Sequence, residues 1–160
     1  MQNNWSREDE DYMRHALSLA KNGIGHVNPN PMVGAILVKN GEIIGRGYHA
    51  RYGEGHAEVN AFKDAKGDVT GATLYVTLEP CQMCAGAIVQ ARIPRVVIGC
   101  MNEKAGCAGS ILNLLQIPQF NHQVEVTYHV LEDVCSTMLK DFFKELRQRN
   151  KKVKTPLLDK

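Results

Sequence analysis

The chain has 160 residues, 44% of them hydrophobic and 22% charged, which fits an average soluble domain and excludes collagen, coiled-coil and disordered-tail compositions. That length supports one sizeable core and is short for two, so a single domain over residues 1–150 is expected, followed by a basic and flexible tail at 151–160. Nineteen basic against 17 acidic residues leave a net charge of +2, too small to mark a nucleic-acid binder by bulk charge alone.

In chain order, Ser6 and Asp9 read as a capping box, and Met13, Ala16, Leu17 and Ala20 recur at helical spacing until Asn22-Gly23 stops the pattern. Val33 to Lys39 and Glu42 to His49 read as two antiparallel strands, because Asn40-Gly41 between them is a strong hairpin signal. A glycine-rich loop from Arg51 to Gly55 leads into a helical stretch from His56 to about Lys66, and Ala72 to Leu78 reads as a strand. Pro80 stands where a helix would start, Cys81 to Arg92 has the alanine-rich composition of a buried helix, and Arg95 to Cys100 is a β-branched strand. Strand, helix and strand in that compass make a right-handed crossover between parallel strands. A short helix near Ser110 to Gln116, a strand over Gln123 to His129 and a long amphipathic helix from Leu131 to Arg149 complete the chain. The alternation implies an α/β fold in three layers, with helices on both faces of a mixed five-stranded sheet.

No apolar run approaches the ~20 residues needed to span a bilayer, so no membrane is expected. The polar, acidic N-terminus is neither a secretory signal nor a transit peptide, and a cytoplasmic location is expected. Five cysteines, an odd number without an export signal, point to metal binding or catalysis rather than a disulfide framework.

Two stretches carry chemistry, each opening a helix: His56-Ala57-Glu58 and Pro80-Cys81-Gln82-Met83-Cys84. Cysteines three apart at a helix start bring both sulfurs to one face, and the helix N-terminus favours the thiolates that a zinc ion needs. His56 can add a nitrogen, which makes three N and S ligands for tetrahedral Zn2+ with the fourth corner left to water. Glu58, in the first turn, can shuttle the proton of that acidified water without ligating the metal. A zinc that merely staples the fold would need a fourth protein ligand, from Cys100, Cys107, Cys135 or another histidine; these three cysteines read instead as small buried hydrophobes. Tyr48 and Met83 read as packing residues.

The pairing of His-x-Glu with Pro-Cys-x-x-Cys resembles the zinc deaminases, and over nearly its whole length the chain is similar to the cytidine deaminase-like superfamily. Asn28-Pro29-Asn30-Pro31-Met32-Val33-Gly34, Gly47-Tyr48-His49 and Tyr52-Gly53-Glu54-Gly55-His56-Ala57-Glu58 resemble the pyrimidine deaminase domain of riboflavin biosynthesis. Thr77-Leu78-Glu79-Pro80-Cys81 through Ile88, Cys107-Ala108-Gly109-Ser110, Asn121-His122 and Asp141-Phe142-Phe143-Lys144 resemble bacterial tRNA adenosine deaminases. The chain departs from both. The riboflavin enzymes carry a longer insertion between the metal cysteines. The tRNA enzymes usually have Asn where His49 falls, a longer loop before the His-Ala-Glu triplet, and Asp where Asn102 falls.

The resemblance implies removal of an exocyclic amine from a nucleobase ring as ammonia, with Asn30 and His49 as substrate-binding candidates and a homodimer as the working unit. For Asn30, between two prolines, a turn-forming role is the competing reading. A short pocket loop and His49 favour a free base, nucleoside or nucleotide, such as a riboflavin-pathway diaminopyrimidine ribotide. The alternative is the wobble adenosine of tRNA, supported by the C-terminal half. There Lys140, Lys144, Arg147, Arg149, Lys151, Lys152 and Lys154 face only Asp141 and Glu145. Taken alone, those charges are better accounted for by a solvated helix end. An alternative of another class is a zinc-stapled RNA-binding module without catalysis, against which Glu58 stands.

Overall fold

A computed structural model describes residues 5–23, 31–51 and 53–158, with the backbone alone from residue 152 onward. Asn30 lies outside the described residues.

The first helix, α1 (Arg7–Ala20), opens on the expected capping box: Asp9 N–H donates to Ser6 Oγ and Ser6 N–H donates to the Asp9 carboxylate. Strands β1 (Gly34–Lys39) and β2 (Glu42–Tyr48) form the hairpin, with Asn40 and Gly41 at φ of 53° and 78°, the left-handed values a tight hairpin turn requires. Next come α2 (Ala57–Asp64), β3 (Thr73–Leu78), α3 (Gln82–Gln90), β4 (Arg95–Cys100), β5 (Glu125–Thr127) and α4 (Glu132–Leu158). The sheet order is β2-β1-β3-β4-β5; β1 runs antiparallel to both neighbours, while β3, β4 and β5 are mutually parallel.

Three segments differ from the sequence pattern. The helix expected over Ser110 to Gln116 is a single 3-10 turn at Leu114–Gln116, and β5 is three residues long. α4 continues to Leu158, past the expected end at Arg149, although the added stretch includes Val153, Thr155 and Pro156, none of them a strong helix former.

Alternation along the strands splits the core into two faces. Ala35, Leu37, Leu74, Val76, Val96 and Ile98 pack under α2 and α3, whereas Ile36, Val38, Tyr75 and Val97 pack under α1 and Cys135 of α4. Close approach on the first face depends on β2: a Cβ on Gly47 would collide with Ala57 O and Ala61 N. Bare backbone there lets α2 lie directly against the sheet, which sets where His56, its N-cap, can stand. On the opposite side a buried ion pair fastens α1 to the strands. Arg95 donates to both Asp9 oxygens at 3.0 and 2.9 Å, Tyr75 Oη donates to the same carboxylate at 2.7 Å, and Arg95 also reaches Thr127 Oγ1 at 3.1 Å.

Candidate functional site

The site lies at the C-terminal end of β3, where two helices start side by side. His56 caps α2 and Cys81 caps α3, both in extended backbone, and Cys84 follows in the first turn of α3. Neither cap makes a side-chain hydrogen bond to its own helix. Instead His56 Nδ1 is 3.3 Å from Cys84 Sγ and 3.6 Å from Cys81 Sγ. One ligand atom from each lies within 4.8 Å of the others, and among the described residues these three make up the cluster. Cys100, Cys107 and Cys135 are buried and unpaired elsewhere, as small hydrophobes would be.

The cluster has the electrostatics of a cation site. The Cys84 thiol hydrogen-bonds to Cys81 and, against burial, holds the Cys81 thiol down to about 5, with further help from His56. The same hydrogen bond, burial and the charge of Glu58 push Cys84 up. Both sulfurs stand at the N-terminus of α3, with His56 at that of α2, and a soft divalent ion satisfies both as thiolates. These N and S donors fit zinc.

Glu58, 3% exposed, stands one turn into α2 beside the cluster. Burial pushes its carboxyl up to about 7, only partly offset by a hydrogen bond from its own backbone N–H. A cavity of about 190 Å³ opens over these groups, and its lining brings His49, His56, Glu58, Cys81, Asn102 and Pro31 together. His49 is buried at the end of β2, its Nδ1 donating to Gly55 O at 3.2 Å and its ring set edge-on to His56 at 5.5 Å. Met83, expected to pack, is 55% exposed instead, because the α3 position two past the cap faces away from the sheet.

Two side chains that sequence reasoning passed over complete the surroundings. Asn60 Nδ2 donates to Tyr48 O and Gly55 O, so one amide ties the end of β2 to the residue before His56. Glu79, 2% exposed, accepts from Asn102, Ala108 and Ser110 of the loop after β4. Both carried a signal, Glu79 especially: an acid ending an apolar strand must find donors, and the glycine-rich 106–110 segment has free backbone N–H groups to offer.

Beyond Pro31, Leu78 and Asn102, which it shares with the cavity, a wider groove of about 780 Å³ runs out toward α4. Lys104, Lys140 and Arg147 line it and outnumber Glu103 and Glu132.

Comparison with known proteins places this arrangement. The chain is 46% identical over 153 residues to a tRNA-specific adenosine deaminase of Bacillus subtilis, covering 90% of this chain and 94% of that protein. It is 43% identical over 141 residues to the riboflavin biosynthesis protein RibD of Actinobacillus pleuropneumoniae, but spans only 36% of that protein's length. Among solved structures, RibD of Acinetobacter baumannii superposes with a TM-score of 0.77 at 36% identity, over 86% of this chain and 40% of that one. A deaminase structure from work on A-to-I editing at the wobble position of tRNA superposes at 0.72 and 33% identity, over 81% of this chain and 99% of that one. Residues 7–147 match the MafB19-like deaminase family. The chain therefore belongs to that family, within the cytidine deaminase-like superfamily, and is a hydrolytic deaminase.

Proposed function

We propose that the chain is a zinc-dependent tRNA adenosine deaminase that converts the wobble adenosine to inosine. The observation that carries this reading is the groove that shares Pro31, Leu78 and Asn102 with the cavity and carries Lys104, Lys140 and Arg147, since cations spread over a loop and a helix suit several phosphates of an RNA backbone better than the single phosphate of a ribotide. Coverage supports it: the match to the Bacillus protein runs nearly end to end, whereas the RibD match stops well short of that protein's length. The order of the two substrate readings drawn from sequence is thereby reversed. The small-substrate reading retains one specific support, the buried His49 in the cavity wall where the tRNA enzymes usually carry Asn.

In this proposal His56, Cys81 and Cys84 hold Zn2+, and the bound ion supplies the Lewis acidity that makes water nucleophilic near neutral pH. Glu58 moves the protons: it takes one from the attacking water and delivers it to the ring nitrogen, then takes the second from the hydroxyl now on the ring carbon and delivers it to the departing amine. The balance is one water consumed, the exocyclic C–N bond replaced by a carbonyl with the ring intact, and ammonia released. His49, in the cavity wall, and Asn30, outside the described residues, are the proposed substrate contacts. The domain spans residues 1–150, with the basic 151–160 segment adding phosphate contacts. Unpaired cysteines suit a reducing cytoplasm, where tRNA and nucleotides are found. Exposed Met83, Ile111 and Leu112 suit a homodimer interface.

Ammonia release across free bases, nucleosides, nucleotides and an anticodon stem-loop with adenosine at the wobble position tests the assignment. Turnover of the stem-loop is expected. Turnover confined to a diaminopyrimidine ribotide would overturn it in favour of the small substrate, and no turnover at all would return the chain to the RNA-binding class.

A further inference from the structure

We propose that Glu79 is a positioning residue for the deamination: its carboxylate clasps the loop from Asn102 to Ser110 and thereby sets where one wall of the cavity stands. The role in catalysis rests on the reading of that cavity as the deaminase site.

Glu79 follows the apolar β3 and is buried, so its charge is tolerable only with donors on both oxygens. Oε1 accepts from Asn102 N–H at 3.0 Å and from the Ser110 hydroxyl in a short hydrogen bond. Oε2 accepts from Ala108 N–H at 3.0 Å and Ser110 N–H at 2.9 Å. A carboxylate has about four acceptor positions, and four donors occupy them. No lone pair is left for a substrate proton, which separates Glu79 from Glu58 although both acids line the same cavity.

The loop lies flat on this acid. A Cβ on Gly106 would collide with the Glu79 carboxylate and with Asn102 O. Cys107 N–H donates to Pro80 O at 2.8 Å, a second tie to the residue directly before Cys81. Between the ties, the turn is closed upon itself: Asn102 Oδ1 accepts from Lys104 N–H at 3.3 Å and Ala105 N–H at 3.2 Å, and Gly106 N–H donates to Asn102 O at 2.8 Å. Asn102 and Ala105 are the loop's contribution to the cavity wall. Wall and cysteine ligands are therefore referenced to the same two residues, Glu79 and Pro80, and the clasp fixes their separation.

Ser110 is exposed, so Ser110→Ala removes one donor without threatening the fold, and Ser110→Thr restores the hydroxyl. Gly106→Ala wedges the loop off the acid, and Glu79→Gln replaces one acceptor oxygen with a donor. Ser110→Ala and Gly106→Ala are expected to speed amide exchange at 102, 108 and 110 by about 10- to 100-fold, the range one hydrogen bond to a charged group spans. With the wobble stem-loop as substrate, KM should rise about ten-fold while kcat stays within about two-fold, the signature of lost binding geometry rather than lost chemistry. Glu79→Gln should do more in the same direction, zinc content should be unchanged, and Ser110→Thr should match wild type. A loosened loop with unaltered KM, or a lower Tm with unaltered KM and kcat, would overturn the positioning role. Absence of turnover by the wild type on every RNA and small substrate would overturn the functional reading itself, and the role with it, before any variant is compared.

Discussion

Asp9→Asn isolates the interaction that fastens α1 to the sheet. Burial alone would raise the Asp9 carboxyl, but hydrogen bonds from Arg95, Tyr75 and Ser6 N–H outweigh it and hold the group down to about 2, against an ordinary 3.8. The difference corresponds to about 2 kcal/mol of stability at neutral pH. Because the folded value is the lower one, that contribution is complete above about pH 5 and is lost as pH falls, about half of it by pH 3 and most of it below pH 2. The variant also leaves Arg95, about three-quarters buried, without its counter-charge and with one amide oxygen and Thr127 as side-chain acceptors, so a total loss of about 2–4 kcal/mol is expected. Urea unfolding at about pH 7 and pH 3 measures both terms: the variant should be weaker at neutral pH, and its stability should fall less steeply with acid than that of wild type. Kinetic constants of the folded variant should be unchanged, since neither Asp9 nor Arg95 lines the cavity. A loss below about 0.5 kcal/mol at pH 7, the scale of an exposed pair, or an identical acid slope in the two proteins, would refute the reasoning.

Glu58→Gln keeps shape and burial but cannot carry a proton; kcat should fall about 10²- to 10⁴-fold with zinc content by atomic absorption unchanged, and near-normal turnover would remove Glu58 from the mechanism. A chelator should abolish activity and added zinc should restore it, while His56→Ala should lower zinc occupancy directly. Gly47→Ala forces α2 off β2 and should cost about 1–3 kcal/mol in chemical denaturation together with weakened zinc binding, because His56 moves with its helix. Deleting the chain after Arg147 removes Arg149, Lys151, Lys152 and Lys154, and stem-loop affinity should lose roughly 0.7–0.9 in log–log salt slope for each phosphate contact among them. An unchanged slope would confine the RNA track to Lys104, Lys140 and Arg147.

Local signals were sufficient wherever the cause was local. The Ser6–Asp9 capping box, the Asn40-Gly41 turn and the period-two alternation of the strands each depend on neighbours a few residues away, and they appear in the structure at the expected positions. The donor set was legible for the same reason: cysteines three apart at a helix start share a face in any fold. Where the pattern was weaker, packing decided. The 110–116 segment had helix-forming residues, yet Leu114 N–H is drawn to Cys107 O and Asn113 pairs with Ala108, and only the 3-10 turn at Leu114–Gln116 remains.

Composition and motif thus determined by themselves the layered α/β class, the order of its elements, and the residue types able to hold a metal and move a proton. Their convergence was decided by the tertiary structure alone. His56 and Cys81 are 25 positions apart, and they meet because parallel pairing of β3 with β4 and the bare backbone of Gly47 set α2 and α3 side by side. The cationic groove is likewise a tertiary product, since Lys104 and Arg147 come from a loop and a helix that no spacing rule connects. Periodicity records which face a residue occupies; only packing in three dimensions determines which faces meet.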